Sequence, residues 1–299
     1  MLISDYKNGN SLIKIYNDGT RVIEYDDVLK LEFPLNLDIR VSSKCSFGLN
    51  PKTGKAFCSF CHESATTDGS ECDYNALMSK LEGLPRGIEL AIGCNHMTSG
   101  LKSFIVWCDA KGYVVNLTIN QGHIKRDFKL IYELIENGLV KGLGISYRSG
   151  LKFDVPKEIL DYDNTVFHVI CGIDTFDEVV ALKEFGVKKL LLLGYKTFGF
   201  GVEYLSNNEN LVNKNLQEWY WWVHKLFSVF DVVSFDNLAL QQLNVKRFFS
   251  DDNWDVFNQS EHSFYINAVD QTMSPSSRSP EKVDWNAMSV REYFLTHIN

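Results

Sequence analysis

The sequence predicts an α/β protein built around a parallel sheet. Three observations carry the prediction. β-rich runs recur about every 25 residues, the size of a β–α unit. Helix-like stretches fill the gaps, and glycines cluster just past the ends of the runs. The runs are "LNLDIRV" (35–41), "IELAI" (88–92), "YVVNLTI" (113–119), "KGLGISY" (141–147), "TVFHVI" (165–170), "KKLLLL" (188–193) and "FDVVSF" (230–235). Six or seven such units point to a barrel-like or doubly wound sheet. Several runs are apolar on both faces, as strands covered on both sides are.

In chain order, "SLIKIYNDGTRVIEY" (11–25) reads as a β-hairpin, because apolar residues alternate on both sides of Asn17-Asp18-Gly19 and Asp-Gly suits a tight turn. "DYNALMSKLEGL" opens with Asp73, a residue type that caps helices. "RDFKLIYELIENG" has apolar residues at helical spacing and ends on a glycine, and "DTFDEVVALKEFG" repeats that plan. "LQEWYWWVHKLFSVF" is a longer aromatic helix, read as packed rather than as a base-stacking platform. The tail from about 251 is irregular, with "SPSSRSP" (274–280) as a loop. In parallel α/β folds the site lies at the carboxyl ends of the strands, and "AIGCN", "NQG", "SYRSG", "CGID" and "LGYKTFGFG" concentrate polar residues and glycine there.

Composition narrows the function classes. The chain has 299 residues, 45% of them hydrophobic, and a formal net charge of −8, which gives no general attraction to nucleic-acid phosphates. No run approaches the roughly 18 apolar residues of a membrane span, and "MLISDYKNGNS" lacks a signal-peptide core. The expected compartment is the cytoplasm, where thiols stay reduced. Seven cysteines, an odd number, then read as metal ligands or core residues rather than a disulfide framework.

Cys45 follows the first barrel-type strand, and Cys58 and Cys61 stand in "FCSFCHES". The turn-rich insert "SFGLNPKTGKAF" would bring Cys58 back beside Cys45. Three readings are open: ordinary buried thiols; a structural zinc site with Cys72 or His62 as fourth ligand; or a [4Fe–4S] cluster on three thiolates with one iron left open. The zinc reading makes the chain a non-catalytic binding module stabilised by a four-cysteine site. A barrel hydrolase or aldolase would need paired histidines, and none of the seven forms an H-x-H or H-x3-H pair.

The chain resembles the radical S-adenosylmethionine (SAM) enzymes. Their usual motif is Cys-x3-Cys-x-aromatic-Cys in the loop after the first strand of a partial (β/α)6 barrel. Cys58-Ser59-Phe60-Cys61 matches its second half, and the first gap here is twelve residues. Longer first gaps occur in the superfamily, for example in some 7-carboxy-7-deazaguanine synthases. "ELAIGCNHM" is similar to the family's "GGEP" segment at Gly93, Cys94 and Asn95, without the second glycine and the Glu-Pro pair. "NLTINQG" resembles the third-strand segment, with Thr118 and Asn120 at the mouth; "GISYRSG" puts Ser146 where relatives contact SAM; and "LLLLGYKTFGFG" places Gly194 near adenine. The matches span about residues 35–200.

The resemblance implies a TIM-type partial (β/α)6 barrel over residues 31–235, with an N-terminal hairpin extension (1–30) and a C-terminal extension (236–299) closing the barrel. It implies that Cys45, Cys58 and Cys61 hold the cluster, that Phe60 packs near the adenine of SAM, and that a one-electron donor such as flavodoxin or ferredoxin feeds the site. Expected substrate contacts are Lys196, Tyr147, Arg148, Asp236 and Asn237, with Asp236 equally suited to capping a helix. His168, inside a strand, reads as a hydrogen-bonded core histidine. No cysteine follows Cys171, so a cysteine-rich auxiliary-cluster domain is not expected, and a small molecule or nucleotide is favoured over a large peptide as substrate.

Overall fold

The computed structural model describes residues 1–254 and 262–298; of the expected C-terminal extension, 255–261 and 299 lie outside the described residues. The chain opens with an antiparallel three-stranded sheet, β1 (Leu2–Asn8), β2 (Ser11–Tyr16) and β3 (Arg21–Glu24). The expected hairpin is its second and third strands. Its turn is built as read: Gly19 has φ +87°, and Thr20 N donates to Asp18 Oδ1 at 2.9 Å. β1 escapes a pattern search because it buries only Tyr6 and Asn8.

The rest of the chain builds one ten-stranded sheet. In order come β4 (Asn36–Arg40), β5 (Lys44–Leu49), α1 (Tyr74–Leu81), β6 (Glu89–Gly93), α2 (Ser99–Lys111), β7 (Val114–Asn120), α3 (Gln121–Glu136), β8 (Gly142–Ser146), α4 (Lys157–Leu160), β9 (Thr165–Ile170), α5 (Phe176–Ala181), β10 (Lys189–Leu193), α6 (Phe200–Trp222) and β11 (Val232–Phe235). They are followed by α7 (Asn237–Gln242), α8 (Asp251–Trp254), β12 (Ser263–Asn267), β13 (Thr272–Ser274), β14 (Val283–Asp284) and α9 (Val290–His297). All seven predicted runs are strands. The strand order is β11-β10-β9-β8-β7-β6-β4-β12-β13-β14, with β4 and β6 to β12 all parallel. Along β4 to β11 the order never reverses, so the sheet is wound in one direction and is not doubly wound. Right-handed crossovers then place every connecting helix on the same face.

That topology makes the two faces different. On the helix side Leu37, Ile39, Leu90, Ile92, Leu117, Ile145, Val169 and Leu192 are 0–2% exposed. On the opposite side the alternate positions of β4 to β8 are largely polar or small, among them Asp38, Glu89, Asn116, Thr118 and Gly144, and β9 adds His168. The expectation of strands apolar on both faces holds for β9 and β10, where Val166, Ile170, Leu191 and Leu193 occupy the alternate positions, and not for β4 and β7. Helices cover one face only, and the other needs no apolar match.

Local signals hold well. Asp73 caps α1, accepting from Asn75 N and Ala76 N; Thr175, rather than Asp174, caps α5 through a capping box with Glu178. The C-terminal segment adds β12 beside β4, with β13 and β14 antiparallel after it, and α9 packs Tyr293 against Phe264 at 4.8 Å. It extends the β4 edge; among the described residues no strand pairing joins it to β11. At the other end of β6 and β7 the N-terminal sheet seals the inner face. Arg21 pairs with Glu89, Asn116 donates to Glu89, and Gly87 (φ +92°) lets Ser4 and Tyr6 approach so closely that an added Cβ would lie 2.3 Å from Ser4 Oγ.

Candidate active site

The three motif cysteines lie on β5 and the loop that follows it. Cys45 sits on β5, the insert turns back at Asn50–Lys55, and Cys58 N donates to Phe47 O at 3.0 Å, so the excursion returns where the sequence predicts. Cys61 N donates to Cys58 O at 3.1 Å and Ser64 N to Cys61 O at 3.1 Å, winding Cys58–Ser64 into successive tight turns. Phe200 N donates to Cys61 O at 3.1 Å and ties this loop to the start of α6.

These thiols differ from the other four. Cys72, Cys94, Cys108 and Cys171 belong to the continuous hydrophobic core; Cys45 and Cys58 are buried outside it, and Cys61 is half-buried. Burial pushes the Cys45 thiol up, and nearby Cys58 and Cys61 push it further; burial likewise raises Cys58, with the Arg148 guanidinium beside it pulling the other way. The three thiols therefore share one electrostatic neighbourhood. Cys72 lies in another, where Glu71 and Asp73 add to burial and push its thiol to about 12. Among the described residues no group of three or more His, Cys, Asp or Glu side chains is gathered so as to hold a metal ion. In a [4Fe–4S] cluster each thiolate ligates the cluster rather than one shared ion.

Phe60 stands between these thiols and the strand ends. Its ring meets Tyr204 edge-on at 5.7 Å, and the Arg148 guanidinium lies 5.3 Å from its centroid. Phe60, Ile170, Leu193, Gly194, Tyr195 and Lys196 line one small pocket. Arg148 Nε is buried without a hydrogen-bond partner. This buried orphan donor belongs to the guanidinium beside Cys58.

The other predicted residues sort by strand alternation and capping. Gly93, Thr118 and Ser146 lie on the inner face at the ends of β6, β7 and β8, and Asn95 follows in the turn after β6. The Cys94 side chain instead enters the core, its Sγ 3.7 Å from Met97 Sδ. Asn120 caps α3, accepting from Gly122 N at 3.0 Å. Tyr147 follows Ser146 and so points the other way, into the core; burial pushes its phenol up to about 12. That corrects its placement at the mouth, while Arg148 does reach the site. Asp236 caps α7 and also accepts from Gly194 N at 3.0 Å, so the capping reading holds, and Asn237 is the first residue of that helix. Gly194 is required by this packing, since an added Cβ would lie 2.5 Å from Leu238 Cγ.

Sequence reasoning missed the inner-face charges. Asp38 on β4 is exposed to water yet enclosed among protein atoms; burial raises its carboxyl to about 6, with Lys196 opposing. β4 and β10 are five strands apart, and one side-chain network spans that interval, from Lys196 after β10 through His62 and Glu63 to Arg40 on β4 and Tyr265 on β12. Glu63 forms a hub there: Arg40 Nε at 3.1 Å, His62 Nε2 at 3.2 Å and Tyr265 Oη at 3.0 Å, with Lys196 Nζ 3.4 Å from His62 Nε2. His168, expected in the core, is on this face too. It leans over Gly144, and burial, Arg148 and Lys196 lower it to about 4. The missed signal was period-2 polarity inside strands: Asp38 and Arg40 in "NLDIR", Asn116 and Thr118 in "VVNLTIN".

Among the described residues no helix is long and apolar enough to cross a membrane. Compared with known proteins, the chain matches no family model and no curated sequence at a significant level.

Proposed function

We propose that this chain is a radical SAM enzyme acting on a small molecule, on a partial (β/α)6 barrel formed by the singly wound sheet. The observation that carries the reading is the segregation of the cysteines. Cys45, Cys58 and Cys61 lie outside the core, with the Arg148 guanidinium beside Cys58, while the other four pack inside it. In this reading the three thiolates hold a [4Fe–4S] cluster. When bound, that cluster supplies the electron that splits the sulfonium of SAM and releases a 5′-deoxyadenosyl radical. Phe60 and the Leu193–Tyr195 side of its pocket take the adenine, and Thr118 and Ser146 offer hydroxyls to the polar parts of SAM. Arg148 neutralises negative charge beside Cys58. The N-terminal sheet closes the far end of the chamber and helps exclude water from the reacting groups. A flavodoxin or ferredoxin as electron donor and a cytoplasmic setting belong to the same reading.

A four-thiolate zinc module would need Cys72, which packs in the core away from the other three, or His62, whose Nε2 already faces Glu63 and Lys196. The test is direct. Protein reconstituted anaerobically with iron and sulfide and given a strong reductant should cleave SAM to 5′-deoxyadenosine and methionine. A cluster-loaded, SAM-bound protein that yields no deoxyadenosine with any reductant sinks the proposal.

A further inference from the structure

We infer that the inner face of the sheet is a binding chamber for a small molecule with paired N–H donors at one end and an anionic group at the other, anchored by Asp38 and Lys196. The inference rests on the radical SAM reading for its chemistry, but its anchors are independent of the cysteines. Apart from Arg148, whose Nε is unpartnered near Cys58, two charges of this face lack an ion pair among the described residues. Glu89 is held by Arg21 and Asn116, and Glu63 by Arg40, His62 and Tyr265. Among the described residues, Asp38 has only a 3.5 Å contact from Asn36 and no ion pair, and Lys196 has only the 3.4 Å approach to His62. An uncompensated charge in an enclosed site is costly. Two of opposite sign in one chamber are accounted for by a ligand that brings both counter-charges.

The geometry sets the size and polarity of that ligand. Asp38 lies between Tyr265 on β12 and Ala91 on β6, two residues before the end of β4, and so about 7 Å beneath the strand ends. Lys196 follows the end of β10, at the mouth. A molecule of roughly 7–10 Å spans them, which is the length of an amino acid with a long side chain or of a nucleotide. The Arg21–Glu89–Asn116 contacts close the far end, so a chain cannot thread through. The carboxylate of Asp38 suits a guanidino or amidine-type edge, whose parallel N–H groups it can accept in pairs. Thr118, Asn116 and His168 line the interval with neutral polar groups.

Calorimetric titration of the cluster-loaded protein with SAM present tests this, using four probes: L-arginine and guanosine 5′-monophosphate, and their end-truncated forms agmatine and guanosine. At least one intact probe should bind saturably, and its truncated form at least tenfold more weakly. Asp38→Asn should weaken both members of that pair tenfold or more. Lys196→Met should bring the intact probe down to the level of the truncated one and leave the truncated one unchanged. Binding of neither intact probe overturns the inference, as does a Lys196→Met effect equal on both members or none from Asp38→Asn. Should Asp38→Asn fail to fold, Asp38→Ser carries the same expectation. Iron content and SAM cleavage on the same samples separate the two readings. Full cluster and cleavage without probe binding refutes the chamber alone; probe binding in protein that cannot assemble a cluster refutes the radical chemistry alone.

Discussion

Replacing Cys72 and Cys58 one at a time separates the two metal readings. Cys72 is 8% exposed and sits in the core, just before the Asp73 cap of α1. Cutting it to alanine removes one buried sulfur, equivalent to about 0.8 kcal/mol of transfer free energy for a methylene-sized group. A residual cavity of about 20 Å³ adds roughly 0.5 kcal/mol. The expected loss of about 1–1.5 kcal/mol lowers the melting midpoint by a few degrees. Cys58→Ala should instead cost little in the metal-free protein, since its thiol packs outside the core, yet abolish cluster assembly. The assay is iron, sulfide and zinc per chain after anaerobic reconstitution, beside thermal unfolding of each variant. Full iron in Cys72→Ala and none in Cys58→Ala is the expected pattern. Equal and complete metal loss in the two variants refutes a three-thiolate site and restores four-ligand zinc.

Three further outcomes follow from particular contacts. His123 is 2% exposed and held at about 4, from an ordinary 6.5, by burial with Arg126 and His96 adding to it. The unfolded chain therefore takes up a proton at pH values where the folded chain does not, so stability is lost as pH falls from 6.5 towards 4, by about 2 kcal/mol between pH 7 and 5. Urea unfolding of His123→Gln should lack that part of the slope, and an unchanged slope contradicts the assignment. Gly144→Ala puts a Cβ 2.5 Å from His168 Cε1 and 2.7 Å from Thr118 Oγ1, so it should cost about 1–3 kcal/mol, with at least half regained in a His168→Ala background; full additivity of the two changes would count against this contact. Arg21→Met leaves the Glu89 carboxylate with Asn116 alone and should cost roughly 1–3 kcal/mol by urea midpoint, part of it recovered on adding Glu89→Gln.

How much of this was legible in the sequence depends on whether the signal is local. All seven predicted strands of the parallel sheet are present because each is a short β-branched or leucine-rich run bounded by turn residues. Asp73 and the glycines at turn positions act through their own backbone and were readable for that reason. The α3 and α6 starts were placed late because their first turns, "QGHIK" and "FGVEY", carry no apolar repeat; α3 is started by the Asn120 cap instead. β1 and β12 owe their pairing to partners far along the chain, and β12 joins β4 across more than 220 residues. No local pattern encodes such a pairing.

The site divides along the same line. The cysteine spacing and Phe60 are contiguous in sequence, so they could be read together. What alternation decides was half readable: Ser146 and Tyr147 cannot both face the mouth of a strand end, and the structure gives the mouth to Ser146 and the core to Tyr147. What strand order across the sheet decides was not readable. Asp38 lies on β4 and Lys196 just past β10, five places apart in the sheet, and neither residue stands out in its own segment. Polar residues at every second position of a strand otherwise flanked by core positions are the trace that such a chamber leaves in a sequence. Asp38 and Arg40 between Leu37, Ile39 and Val41 show it, as do Asn116 and Thr118 between Val115, Leu117 and Ile119. Helices cover only one face of a singly wound sheet, so polarity of this period belongs to the uncovered face, and that is where substrate contacts are to be sought.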